Sequence, residues 1–388
     1  MKDLTAIKGV GEFFAEKLRQ GGYQSIANIV NVNAKSLCAD TGIPLSHAAR
    51  IIKEAQSLIA KTDSEKYVVG VDMGGTKILA AIITGDGTIL SRAKTATKAH
   101  KDPTQVIDRI AACINKAIKQ AGLSKASIQS VGIGAPGPLD PKDGVIIFAP
   151  NLNWYNVPLK KELESRLNIP TFLDNDVNVG TVGEFTHGAG QGANSLVGIF
   201  VGTGIGGGII LNGKLFHGTN KTAGEIGHII VKANGPKCNC GNSGCLEAIS
   251  SRTAITKKIR KAVLKQGRKS HILELNDGNL DNIRSKTLAK AVASGDKVTI
   301  EVIRRTAKYL GIGIASVVNF LNPEMIILGG GVVEALDDEF IKRIRKFAKA
   351  YALPNTMDGI EIVTAKLGDD AGVIGASVLA RQNLGTTY

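Results

Sequence analysis

One pattern in this chain occurs twice and restricts the fold more than any other feature. An apolar strand, Val68-Val69-Gly70-Val71-Asp72-Met73, runs into a glycine turn, then into a second apolar stretch, Lys77–Thr84, and then into the turn Gly85-Asp86-Gly87. About 130 residues later, LVGIFVGTG, GGGIILNGK and a second turn repeat the design. Strands of four to eight apolar residues bounded by glycine turns are hairpins. Two such units in one chain predict a duplicated α/β domain with a cleft between the halves. A helix is expected over about 103–121, where Val106, Ile110, Ile114 and Ile118 recur at helical spacing.

The glycine turns carry chemistry. Gly202-Thr203-Gly204-Ile205-Gly206-Gly207 formally matches G-x-G-x-x-G, but that fingerprint needs a helix directly after it. Here Gly208-Ile209-Ile210-Leu211 follows, a strand. The turn therefore caps a hairpin, and its amides can form a nest for phosphate oxygens. Asp72-Met73-Gly74-Gly75-Thr76-Lys77 is its counterpart, with a carboxylate, a hydroxyl and an ammonium added. An acid at the phosphate end can hold Mg²⁺ directly or through water. The chain has no G-x-x-x-x-G-K-[ST].

His228, Cys238, Cys240 and Cys245 fall within eighteen positions and hold three of the five cysteines. One imidazole and three thiolates form a complete tetrahedral set for zinc. A Cys238–Cys240 disulfide would be strained and would leave one thiol over. No apolar leader and no run of eighteen apolar residues is seen, so no membrane span and a cytoplasmic location are expected. Cys38 and Cys113 are expected to be small buried apolar residues. The net charge of +14 in 388 residues is carried mainly by 92–125 and Arg252–Lys269. A solvated basic surface accounts for it, although phosphorylated small molecules and nucleic acid also favour a positive field.

Taken together, Asp72–Lys77, GIGAPGP (132–138), Asp174-Asn175-Asp176-Val177-Asn178, Gly202–Gly208, Gly224-Glu225-Ile226-Gly227-His228 and CNCGNSGCLE resemble the ROK family. The resemblance covers about 67–388. It implies a duplicated, actin-like (hexokinase-type) ATPase fold whose two lobes, 67–178 and 179–388, close over ATP and a sugar, with a terminal helix at about 370–384 packing on the first lobe. It implies Asp176 as catalytic base, taking the proton of the sugar 6-hydroxyl. Asn151, Asn153, Asn175, Glu225, His228 and Glu247 match sugar-binding positions, with one ring nitrogen of His228 on zinc and the other toward a hydroxyl. Trp154 is expected to pack rather than to stack on sugar. Asp72, Gly74, Gly75, Thr76, Lys77, Gly202, Thr203, Gly204 and Gly206 would hold Mg-ATP, and Gly329, Gly330 and Gly331 would let adenine approach the backbone. Structural zinc and ATP-bound Mg²⁺ are the implied ions, and a homo-oligomer is the implied assembly. Within the family, the zinc set, Glu225 and PNLNW most resemble glucokinases. N-acetylmannosamine or N-acetylglucosamine kinases share almost every such residue, and polyphosphate stays open as donor. The helix expected over Lys297–Leu321 has Gly311 and Gly313 in its interior, which implies close packing or ligand approach.

Residues 1–61 lie outside that body, joined by a polar break at 62–66. They read as short helices without strands. The segment LTAIKGVGEFFAEKLRQGGYQSIANIV has the form helix, Gly9-Val10-Gly11 hairpin, helix. It resembles a helix-hairpin-helix domain, most closely the N-terminal domain of archaeal-type recombinases. Amides freed by the two glycines at a helix N-terminus can grip a DNA phosphate without reading bases. A non-specific DNA partner or a protein partner through 1–60 is the corresponding expectation. ROK repressors carry a winged helix-turn-helix instead, which is not seen here, and that favours the kinase; a DNA-binding regulator using the N-terminal module is the alternative.

Overall fold

A computed structural model describes residues 4–30, 32–64, 67–99, 102–336 and 338–385. The N-terminal module is all helical, with α1 (Glu12–Gln20), α2 (Ile26–Ile29), α3 (Ala34–Thr41) and α4 (Leu45–Ser64). The Asn33 side chain starts α3 by accepting from the Ser36 amide, and the helix ends at Gly42. Leu18, Ile29, Leu37, Ile43 and Ile51 are buried in a cluster that, among the described residues, is drawn from 4–55. Cys38 lies only half-buried at the edge of this cluster, which corrects the expectation of a buried residue, whereas Cys113 is buried. The polar break expected at 62–66 begins as the last turn of α4, because those residues include no glycine or proline to stop a helix. Residues 65 and 66 lie outside the described residues.

The first half of the body contains β1 (Tyr67–Met73), β2 (Lys77–Ile83), β3 (Ile89–Ala96), α5 (Pro103–Gln120) and β4 (Ile128–Ala135). A small sheet of β5 (Leu139–Asp140), β6 (Val145–Ala149) and β7 (Trp154–Val157) follows, then α6 (Leu159–Leu167), β8 (Thr171–Asn175) and α7 (Asp176–His187). The second half runs β9 (Leu196–Val201), β10 (Ile205–Leu211), β11 (Lys214–Leu215), α8 (Leu246–Ser250), α9 (Arg252–Arg260), α10 (Ile272–Leu275), α11 (Ser285–Ala293) and α12 (Lys297–Leu321). It ends with β12 (Met325–Gly329), α13 (Gly331–Ala335), α14 (Asp338–Tyr351), β13 (Glu361–Thr364) and α15 (Ala371–Asn383).

Two five-stranded sheets follow one plan. The first is ordered β3-β2-β1-β4-β8 and the second β11-β10-β9-β12-β13. In each, a leading hairpin pairs antiparallel, and its first strand pairs parallel with a strand from later in the chain. Their strands are rich in valine and isoleucine buried on both faces, as sheets covered on both sides require. Asp102 caps α5 by accepting from the Thr104 amide, with proline at the first turn, and Val106, Ile110, Ile114 and Ile118 line its buried face.

The two sheets are joined by α7 and α15. A Cβ on Gly375 would stand 1.6 Å from the Val179 carbonyl oxygen, so only glycine lets these helices cross backbone to backbone. Val373 and Ile374 of α15 pack on Leu79, Ala81 and Ile83 of the first sheet. Val378 packs with Leu196, Ile210 and Ile327 of the second. The terminal helix thus touches both halves. Gly311 of α12 fits against Phe347 and Ala348 of α14, and Gly313 against Leu246, so close packing accounts for both. Among the described residues no helix is long and apolar enough to cross a membrane.

Candidate active site

Asp176 is the first residue of α7, where β8 ends. Asn175 caps the helix, its side-chain oxygen accepting from the Val177 amide at 2.9 Å and the Asn178 amide at 3.3 Å. The Val177 amide also donates to Asp176 Oδ1. Burial raises the Asp176 carboxyl to about 7, with the charge of Asp72 and then of Glu225 acting in the same direction, against the pull of the Val177 amide. Asp72, near the end of β1, is also raised by burial; Lys77 lowers it and Asp369 raises it. These side chains feel one another although they come from four separated segments.

The turn between β1 and β2 is fixed by its backbone. The Gly74 amide donates to the Lys77 carbonyl, and Thr97 donates through its hydroxyl to Gly74 and through its amide to Thr76. Lys77 Nζ meets Asp369 Oδ1 at 3.0 Å, just before α15. Neighbouring Asp370 takes two bonds from Arg92, at 3.1 and 2.7 Å. Asn151 lies beside Gly75: a Cβ there would be 3.5 Å from Asn151 Cβ.

The second turn is held from outside. Arg252 donates to the Thr203 hydroxyl at 2.7 Å, and Thr253 to the Thr203 carbonyl at 2.8 Å. Glu247 Oε2 accepts from the Ile205 amide at 2.8 Å. Glu247, expected to bind sugar, therefore commits one oxygen to shaping the glycine loop. A Cβ on Gly206 would meet Val177 at 2.5 Å, which sets the loop against the first turn of α7. Gly330 has φ 85, and a Cβ there would stand 2.8 Å from Val201 backbone atoms. The loop 329–331 thus lies against the end of β9, next to the Gly202 turn. Asn153 ends a short turn in the left-handed conformation at φ 54. Among the described residues no hydrogen bond joins its side chain to the acidic cluster. Trp154 is fully buried and packs.

Beyond Glu225 the chain forms a compact loop in which Ile230 bridges Cys245 and Lys237 bridges Ser243. The ligand atoms of His228, Cys238, Cys240 and Cys245 all lie within 4.8 Å of one another. Cys238 Sγ is 3.7 Å from His228 Nδ1, and Cys240 Sγ is 3.7 Å from Cys245 Sγ. Tetrahedral zinc with bonds of about 2.3 Å to sulfur and about 2.0 Å to nitrogen sets such atoms roughly 3.5–3.8 Å apart. The donor set and its spacing therefore fit a closed four-ligand zinc site. Burial and the neighbouring thiols of Cys240 and Cys238 push the Cys245 thiol up to about 12, so without a cation that thiol resists ionising, whereas the Asn242 amide holds the Cys240 thiol below its ordinary value. The other ring nitrogen of His228, Nε2, faces Glu225 Oε2 at 3.8 Å.

Asp369, Arg252 and Thr253 were not singled out for these contacts by sequence reasoning. Asp369 and Asp370 are visible as acids before a helix, but their bonds reach back 292 and 278 positions. Only the fold can supply such pairings.

Residues 68–383 match the family model described as ROK family, and residues 1–57 match SAM-like Helix-hairpin-helix tandem. The second match is to the helix-hairpin-helix class and does not support the narrower likeness to recombinases. A glucokinase of Halalkalibacterium halodurans is 39% identical over 320 residues, covering 82% of this chain and 96% of the relative. A xylose repressor of Caldicellulosiruptor bescii is 32% identical over 308 residues, covering 79% and 76%. The crystal structure of a ROK family glucokinase from Streptomyces griseus, in complex with glucose and AMPPNP, superposes with a TM-score of 0.72 at 36% identity, covering 81% of this chain and 99% of that one. From Val68 through Asn383, in sequence and in fold, this chain belongs to the ROK family.

Proposed function

We propose that this chain is an ATP-dependent glucokinase, a phosphotransferase acting on an alcohol group. The observation that carries the reading is Asp176, a carboxyl raised to about 7 at the start of α7, where Asp72 of the first hairpin reaches it by charge and Gly206 of the second turn packs on Val177. A general base works best with a pKa near the working pH. Asp176 accepts the proton of the sugar 6-hydroxyl as that oxygen forms its bond to the γ-phosphorus, and the bond to ADP breaks. The 36% identity to a glucokinase whose structure holds glucose and AMPPNP supports the same assignment. The matched halves of the body support a duplicated, actin-like architecture, with lobes at 67–178 and 179–388.

In this reading Glu225 and His228 bind sugar hydroxyls, with Asn175 offering its amide nitrogen, since its oxygen caps α7. The first turn supplies the amides of Gly75 and Thr76 and the ammonium of Lys77, the Gly74 amide being held by the Lys77 carbonyl, and Asp72 would help to hold Mg²⁺. The second turn supplies the amides of Thr203 and Gly204, since those of Gly202 and Ile205 donate to the Gly204 carbonyl and Glu247, and Gly329–Gly331 leave room for adenine. Zinc, when bound, supplies structural bracing rather than Lewis acidity. His228 Nδ1 lies among the thiols, so coordination there holds Nε2 toward the sugar side. A cluster of reduced thiols fits a cytoplasmic location.

The test is ADP release from Mg-ATP with glucose, N-acetylglucosamine, N-acetylmannosamine, mannose and fructose, with Asp176→Asn as blank. Turnover on glucose that the variant lacks supports the reading. Turnover on an N-acetylated sugar alone keeps the chemistry and changes the substrate. Silence on every sugar by folded, zinc-loaded protein overturns it in favour of another donor or a regulator.

A further inference from the structure

We infer that His217 is a positioning residue for the reaction: it ties the loop that delivers Glu225 and His228 to the strand end that carries Asp176. The inference rests on the kinase reading for its consequence but on geometry for its existence. His217 Nε2 donates to Asp174 Oδ2 at 2.6 Å, and Asp174 is only 4% exposed. The other oxygen of Asp174 accepts from the Asn175 amide at 2.7 Å and from Asn178 Nδ2 at 2.8 Å. One carboxylate thus fixes the peptide just before the cap of α7 and, through its second oxygen, the imidazole of a distant loop.

His217 is the anchor of that loop. Phe216, its neighbour, donates through its amide to the Ile209 carbonyl of β10, and the Ala223 amide returns to the His217 carbonyl at 3.0 Å. The turn 217–223 is therefore closed on His217, and Gly224 and Glu225 follow directly. A shift of the imidazole moves the start of the segment that presents Glu225 and the first zinc ligand. Hydrogen bonds to a buried carboxylate are short and strong, so this pairing is stiff enough to set a position. The residue is not needed as filler. Its ring borders a cavity of about 290 Å³ that Lys142, Lys221 and Leu379 also line, so truncating it enlarges existing space rather than opening a void in the core.

The test compares His217→Ala, His217→Gln and Lys221→Ala in the full chain. Glutamine keeps a donor toward Asp174; Lys221 lies on the same loop and serves as control. His217→Ala should raise the KM for glucose roughly tenfold or more, with a smaller fall in kcat and the KM for ATP within about twofold. His217→Gln should recover most of that loss, and Lys221→Ala should match wild type. Amide hydrogen exchange over residues 218–228 should be faster in His217→Ala. A glucose KM within about twofold of wild type for His217→Ala, or an equal rise in both KM values with no rescue by glutamine, overturns the inference. If the wild-type chain phosphorylates no hexose, the kinase reading fails on its own. The exchange measurement then decides the tether, and unchanged exchange over 218–228 refutes it.

Discussion

The two five-stranded sheets share a strand order, and their leading hairpins differ in almost everything chemical. The β1–β2 turn holds Asp72, Thr76 and Lys77, and its charges reach Asp176 and Asp369. The β9–β10 turn holds no ionisable side chain, and its shape comes from Arg252, Thr253 and Glu247 outside it. One strand-turn-strand frame thus serves once as a charged site and once as a backbone cradle. Asp176, the proposed base, stands at neither turn. It begins α7, the helix packed against both sheets, where Asp176 feels the charge of Asp72 from one hairpin and its neighbour Val177 meets Gly206 of the other.

Removing the charge at the junction should have the largest effect. Asp176→Asn should lower turnover about 10³-fold while sugar binding changes by only a few-fold. Near-normal turnover would place the base elsewhere. The same substitution should stabilise the protein. The folded carboxyl sits at about 7, above its unfolded value of 3.8, so the folded state holds its proton longer. Its contribution therefore declines as pH rises between those values. Thermal melts of the variant should match wild type near pH 3.5 and exceed it at pH 8.

Next, the hairpins can be set against each other. Asp72→Asn should cost about 100-fold in kcat, since it removes charge from the phosphate end. Thr203→Ala should cost only a few-fold, since its hydroxyl is already engaged by Arg252 and the cradle is backbone. Equal losses would erase the distinction. A wild-type pH profile sharpens it: with Asp176 at about 7, kcat/KM should fall about tenfold per pH unit below that value and level off above it. A profile flat from pH 5 to 8 would exclude Asp176 as a titrating base.

Cys240→Ser probes the brace behind the cradle. It should abolish stoichiometric zinc by metal analysis and weaken glucose affinity about tenfold or more, because His228 loses its fixed ring orientation. Full zinc content in the variant would show that these four residues are not the ligand set.

The repeated hairpin pattern, the four metal-type ligands and α12 could all be read from sequence because each is local. Val68–Met73 and Leu196–Val201 alternate with glycine turns, and the ligands fall within eighteen positions. What escaped was long-range. Lys77 with Asp369, Arg92 with Asp370 and His217 with Asp174 are pairs whose members lie 292, 278 and 43 positions apart. Glu247 shows the limit from the other side. Its residue type suits sugar hydroxyls, but the fold aims one oxygen at the Ile205 amide. Cys38 is half-exposed because burial on an eight-residue helix depends on which face the neighbours cover, and its residue type does not carry that information.

The smallest effect should come from deleting the N-terminal module. Among the described residues its buried cluster is assembled from residues 4–55, and the ROK family match begins at 68. A glucokinase covered over 96% of its length by this chain aligns with only 82% of it. Among the described residues none of Asp72, Asp176, Glu225 or His228 bonds to the module. A chain beginning at residue 64 should keep kcat and both KM values within about twofold, which is the scatter of non-contacting changes. The module's own surface gives it a separate test. Gly9 at φ 89 and Gly11 before α1 leave amides at a helix start, but Arg19 is drawn toward Glu12 and Glu16, which weakens the positive field there. Retardation of duplex DNA by the intact chain, lost in the truncation and suppressed by salt, would make the module a phosphate-gripping appendage on a complete enzyme. A truncation that folds, binds zinc and yet loses turnover would instead make it part of the catalytic unit, and the division between the matched halves and the module would have to be redrawn.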